Sequence, residues 1–211
     1  MRKWIRFSLY LIAASCIFSA RAGSYEDFFK AVTQDDASTV GALLARGFDS
    51  NSLDEKGQTG LVLALRDDRD KVAEALASNP ETHIDQPNSH GETPLMMAAL
   101  HGRADWVRRL LERGAGVNRP GWTPLHYAAT GPDSALVGLL LERGAKIDSR
   151  SPNGTTPLMM AARYGSEASA LLLLDRGADP KLRNDRQLSA GDFARLAGRD
   201  KLALKLDAAA R

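Results

Sequence analysis

Apolar residues in this chain come in short bursts, and the bursts repeat. The clearest stretch is residues 121–144, GWTPLHYAATGPDSALVGLLLERG. Leu125, Ala128 and Ala129 recur at helical spacing, and Leu136, Val137, Leu139, Leu140 and Leu141 form a second, wider apolar face. Thr123 stands where a hydroxyl can accept a backbone N–H left unpaired by a first helical turn. Pro124 follows at the first helical position, where a fixed φ helps and the missing N–H costs nothing. Gly131-Pro132 breaks the first helix, Asp133 or Ser134 caps the second, and Gly144 ends it. The first helix is barely two turns, far below the roughly 12–15 residues an isolated helix needs. Such a unit requires neighbours.

The chain supplies them. Thr59, Thr93, Thr123, Thr156 and Ser189 are equivalent, at spacings of 34, 30, 33 and 33 residues. Gly91-Glu-Thr-Pro-Leu-Met-Met-Ala-Ala, Gly121-Trp-Thr-Pro-Leu-His-Tyr-Ala-Ala and Gly154-Thr-Thr-Pro-Leu-Met-Met-Ala-Ala are each followed by a Leu-Leu-x-x-Gly-Ala ending. A period near 33 with this core resembles the ankyrin repeat. The resemblance, including weaker flanking copies, covers nearly everything after residue 24.

It implies an all-α fold, an ankyrin-repeat solenoid of about six helix-turn-helix units with short β-hairpin fingers. The domain is expected over 23–211. An N-terminal capping unit covers 24–47 and repeats cover about 48–79, 84–114, 115–144 and 145–177, with a C-terminal capping unit at 179–211. Two units depart from the pattern: Gly60 stands where Pro is usual, and Gly191 where Leu is usual. The connection before the fourth unit, Val117-Asn-Arg-Pro-Gly121, is about three residues shorter than Ile147-Asp-Ser-Arg-Ser-Pro-Asn-Gly154. A stunted finger, and hence a notch, is expected there. Lys201, Lys205 and Asp207 among the leucines of the last helix suit a solvent-facing end.

The first 22 residues change the charge and the compartment. They hold Arg2, Lys3, Arg6 and Arg21 and no acidic residue. Without them the chain carries 24 basic and 26 acidic residues, so the net charge moves from +2 to −2. Phe7 to Ala20 is 14 uncharged residues, and Ala20-Arg21-Ala22 fits a small-x-small cleavage site. That is the pattern of a secretory signal peptide over 1–22; a spanning helix would need about 20 residues. Ala13-Ala-Ser-Cys16 also faintly resembles a lipoprotein cleavage site, a minor alternative. Cleavage after Ala22 removes Cys16, the only cysteine, and with it disulfides and thiolate chemistry. A periplasmic location is the expectation, with no stable membrane insertion once the signal is gone.

Candidate chemistry is sparse. His126 occupies the histidine position of the repeat core, where the resemblance implies hydrogen bonds to neighbouring backbone. His83, His90 and His101 lie near turns, and no H-x-x-x-H or H-E-x-x-H pattern supports a metal. No G-x-S-x-G elbow and no phosphate-binding glycine pattern occurs. No basic stripe with interleaved aromatics points to nucleic acid. No enzyme, cofactor or metal is expected.

Proteins that resemble ankyrin repeats bind other proteins on their concave face and finger tips. Positions between the inward Leu and Ala residues are free to point there: Gln58, Leu63, Glu92, Met97, Trp122, Tyr127, Thr155 and Met160, with His101, Arg163 and Tyr164 at the far ends of first helices. Met97, Trp122, Tyr127, Met160 and Tyr164 are expected to form an aromatic and methionine patch, flanked by Glu92, His101 and Arg163. Trp106, on a second helix, is a weaker candidate. The function expected is a non-catalytic protein-binding module that scaffolds or stabilises another exported protein. An inhibitor or immunity protein covering a toxin enzyme is one alternative, and an enzyme or small-molecule binder is a remoter one.

Overall fold

The structure, a computed structural model, describes residues 23–211. The signal-peptide segment, its cleavage site and Cys16 lie outside the described residues. The chain divides into two compact units, the first ending at His83 and the second running from Ile84 to Arg211. Among the described residues there are twelve helices and no strand.

In the first unit, α1 covers residues 23–33, followed by α2 (Ala37–Ala45), α3 (Gly60–Arg66) and α4 (Asp70–Ser78). Phe28, Val32, Val40, Leu65, Val72 and Leu76 are fully buried. The Phe28 ring stacks on Phe48 at 4.5 Å. Gly60 follows from that ring: a Cβ there would lie 3.0 Å from Phe28. The proline of the usual start would not fit.

In the second unit, short first helices α5 (Pro94–Leu100), α7 (Pro124–Thr130), α9 (Pro157–Arg163) and α11 (Ala190–Leu196) alternate with α6 (Ala104–Glu112), α8 (Ser134–Glu142), α10 (Glu167–Asp175) and α12 (Asp200–Ala209). α5 packs on α7, α7 on α9 and α9 on α11. The N-caps fall at Thr59, Thr93, Thr123, Thr156 and Ser189, where the periodicity places them. Met96 and Met159 complete their caps through sulfur, which accepts the Thr93 and Thr156 N–H at 3.4 Å each. The core is a file of Leu95, Leu125 and Leu158 with the alanines behind them, all within 1% of full burial. Small alanines allow the short helices to approach closely, so neighbours bury what no two-turn helix could bury alone.

The expected β-hairpin fingers take a simpler form. One isolated bridge joins Leu53 and Thr59. Four of the five connections are turns closed by backbone bonds. Asn88 N–H donates to Glu92 O at 2.9 Å and Gly91 N–H to Asn88 O at 2.9 Å. The same pairs recur at Asp54–Gln58, Ser151–Thr155 and Asn184–Leu188. Five residues closed this way leave no length for a strand ladder. Residues 118–122 form neither bond, which is where the short connection lies. Asn118 is anchored differently. Its amide donates to Gly144 O at 2.8 Å and accepts from Lys146 N–H at 2.9 Å. In the first unit Asn51 makes the same two bonds, to Glu81 O and from His83 N–H, both at 2.8 Å. Asn118 therefore matches Asn51, and the missing residues lie between Asn118 and the Thr123 cap.

The turns within pairs come in two forms. Asp35, Asp68, Gly102 and Gly198 adopt positive φ, between 55° and 69°. Gly131 and Gly165 do not, and instead bring backbone against backbone. A Cβ on Gly131 would sit 2.8 Å from Leu100 O, and one on Gly165 would overlap Ala129 O. Where the last pair meets α9, Arg199 fills the gap: its guanidinium donates to Gly165 O at 2.6 Å and Ala161 O at 3.3 Å, satisfying carbonyls at the helix end. Gly191 is explained by Asp207, whose carboxylate pairs with Arg195 in the space a side chain at 191 would need. Lys205 pairs with Glu167 at 2.8 Å.

Candidate protein-binding face

The site begins with the residue just before each N-cap. In the second unit these are Glu92, Trp122, Thr155 and Leu188. Thr155 is buried, because its N–H folds back to Ser151 Oγ at 3.0 Å within its own turn. Glu92 and Trp122 are half-buried.

Glu92 is held rigidly. Asn88, itself buried, accepts the Glu92 N–H at 2.9 Å and donates its amide to Glu92 Oε2 at 2.8 Å. From α7, Tyr127 Oη donates to Glu92 Oε1 at 3.0 Å. Burial first, then the Glu92 charge and the hydrogen bond to it, push the Tyr127 phenol well up. The phenol is a fixed donor at any physiological pH. Two residues 35 apart in sequence thus form one unit, and both belong to the predicted set.

Trp122 meets His126 edge to face, with centroids 5.2 Å apart. His126 is fully buried and bridges two repeats: Nε2 lies 3.0 Å from Thr155 O, and Nδ1 lies 2.9 Å from Thr123 Oγ1 and 3.2 Å from Thr123 N. A carbonyl opposite Nε2 requires the proton there, so Nδ1 is the acceptor and the ring is neutral. Burial pulls its pKa down to about 4, against smaller upward effects of hydrogen bonds to Thr155 and Ser149 backbone.

At the end of α9, the Arg163 guanidinium lies 5.2 Å from the centroid of Tyr164, which is 55% exposed. Met160 is half-buried one turn earlier, and His101 is exposed at the C-cap of α5.

The expected patch needs correction at several positions. Met97 is only 2% exposed, because every residue of α5 from Pro94 to Ala99 is buried, with α6 and α7 packed against that helix. Gln58 and Leu63 are buried too, the former tied into its turn by the 2.7 Å bond from its N–H to Asp54 Oδ1. Trp106 is covered, with the Arg109 guanidinium 4.5 Å from its ring centroid. What remains is Glu92, Trp122 and Tyr127, with Met160, Arg163, Tyr164 and His101 at the periphery. The residue missed from sequence was Asn88; an Asn or Ser four before the finger's last residue, as in Ser151 and Asn184, was its only signal.

This arrangement offers a fixed carboxylate and a partly exposed indole at equivalent positions of successive helix pairs, without a nucleophile poised against a base. Among the described residues no group of three or more His, Cys, Asp or Glu side chains is arranged to hold a metal. No described helix is long and apolar enough to cross a membrane.

Paired short helices with Thr-Pro starts and hydrogen-bonded turns define a helical repeat protein. Residues 28–120 and 116–184 match the family described as ankyrin repeats (3 copies), and the chain belongs to the ankyrin-repeat family. It is also similar to the E3 ubiquitin-protein ligase XB3 of Oryza sativa subsp. japonica, 33% identical over 109 residues. That match covers 46% of this chain and only 22% of the plant protein. Ankyrin repeats are a protein–protein interaction module.

Proposed function

We propose that this chain is an exported, non-catalytic binding module that scaffolds or stabilises another exported protein, with its helix pairs read as six repeats. The observation carrying the reading is the Asn88–Glu92–Tyr127 network beside Trp122. A charged group and two aromatic rings are held in fixed positions at the surface, the kind of anchor that gives interfaces most of their affinity. Export is supported by the basic, apolar and small-residue order of residues 1–22. Protein recovered from a periplasmic extract should begin at Gly23 by N-terminal sequencing. Material that still begins at Met1 would count against export.

The binding reading is tested by affinity capture from the native compartment, comparing wild type with the double variant Trp122→Ala/Tyr127→Ala. A partner recovered by wild type should be lost by the variant, with each anchor contributing roughly 2 kcal/mol to binding. Trp122→Ala alone should cost only about 1 kcal/mol of stability, the scale of one edge-to-face aromatic contact. Equal recovery by both proteins would move the interface away from this face.

A further inference from the structure

We propose that the short connection at residues 118–122 opens a slot between its two longer neighbours, and that the slot takes a lysine or arginine side chain of the bound protein between the Glu92 carboxylate and the Trp122 ring. This rests on the protein-binding reading above and specifies its partner's chemistry.

The slot follows from the connections. Turns 88–92 and 151–155 are each closed by two backbone bonds, while 118–122, at the end of a connection three residues shorter, has neither. Pro152 of the following turn leans over the shortened one, its Cγ 3.6 Å from where a Cβ on Gly121 would be. Gly121 and Trp122 end the shortened connection, and Glu92 ends the turn before it.

Glu92 and Trp122 are neighbours by construction. They occupy the same position, one residue before the caps of α5 and α7, and those helices pack on each other. Neighbouring helix axes lie about 8–10 Å apart, the span a single long side chain can bridge. Tyr127, on the helix that Trp122 precedes, ties the two together by its bond to Glu92.

The charge decides the occupant. Both donors to Glu92, the Asn88 amide and the Tyr127 hydroxyl, are neutral. Among the described residues Glu92 forms no ion pair, not even with Arg119 in the short connection, and Arg150 is drawn off to Arg183 O at 2.7 Å. Each carboxylate oxygen retains acceptor capacity. An acidic side chain would be repelled. An apolar one would strip water from the carboxylate without replacing it. A basic one gains the carboxylate and the π face together.

The test uses the full chain immobilised through a C-terminal tag, with phage-displayed random peptides as the probe. Enriched peptides should share a Lys or Arg. Changing that residue to Gln in the peptide, or Glu92→Gln in the protein, should each weaken binding about tenfold, and both together little more than either. Trp122→Ala should act likewise, whereas Glu142→Gln on exposed α8 surface should change nothing. The peptide-side substitution keeps the test valid if a protein variant folds poorly. Enriched peptides without a shared basic residue, binding indifferent to Glu92→Gln, or no enrichment would each overturn the slot. A partner captured from the native compartment through Trp122 and Tyr127 but unaffected by Glu92→Gln would overturn it while leaving the binding reading intact.

Discussion

Gly165→Ala should unfold the chain at markedly lower urea concentration, with a loss of about 3 kcal/mol or more. The added methyl would overlap the Ala129 carbonyl oxygen, and its obstacle is backbone on both sides. A side chain can turn away from such a clash, but two helix ends packed against each other can only separate. Inserting volume into a well-packed contact ordinarily costs about 1–3 kcal/mol, and an unyielding neighbour puts this site at or above the top of that range. Gly138 provides the contrast. It lies inside α8, where a Cβ would meet only Leu172 Cδ2 at 3.8 Å. Gly138→Ala should stabilise by roughly 0.5–1 kcal/mol, because alanine restricts the unfolded chain and suits a helix interior. Paired urea titrations check both. A Gly165→Ala midpoint within error of wild type would show that the contact between α7 and α9 is soft.

Acid should weaken the fold through His126. The folded protein holds this ring neutral with its pKa near 4, whereas in the unfolded chain it titrates at about 6.5. The stability it contributes is thus fully present above pH 6.5 and is lost as pH falls towards 4. A depression of this size corresponds to about 3 kcal/mol. The first cause is burial, and a proton on Nδ1 would also face the Thr123 N–H at 3.2 Å. His126→Met separates this from general acid effects on the carboxylates. Met96 and Met159 already fill the equivalent positions and accept their cap N–H through sulfur. The variant should lose about 1 kcal/mol at pH 7, the bond to Thr155 O, and should equal or exceed wild type near pH 4. Parallel stability curves from pH 7 to 4 would exclude His126 as the acid-sensitive group.

The helix starts were legible because a Thr-Pro pair states its own function: one residue caps and the next cannot lie deeper in a helix. Burial along the first helices was not legible in the same way. Met97, Tyr127 and Met160 share one repeat position, yet Met97 is buried and the other two are half-exposed. Exposure there depends on what the adjacent helices bring, which a one-dimensional pattern does not contain. Glu92 and Tyr127 were each read as surface residues, but their bond joins different repeats and leaves no local trace. Gly131 was read as a helix breaker, and Gly165 drew no reading from the sequence. Their stricter requirement, contact with a neighbouring carbonyl, belongs to the stacking and not to the turn.

Asn118 carries an evolutionary consequence. Because its amide fastens the start of the connection to Gly144 and Lys146, the helices on either side keep their register whatever lies between Asn118 and Thr123. Loop closure is only weakly sensitive to length, about 0.6 kcal/mol per doubling. Connection length is therefore an almost free variable in this lineage of folds, able to drift without a stability filter. Adding three residues after Asn118 would restore a full turn and leave α7 and α8 undisturbed. A change of partner could then arise from a single small insertion or deletion, with no compensating substitution elsewhere in the stack.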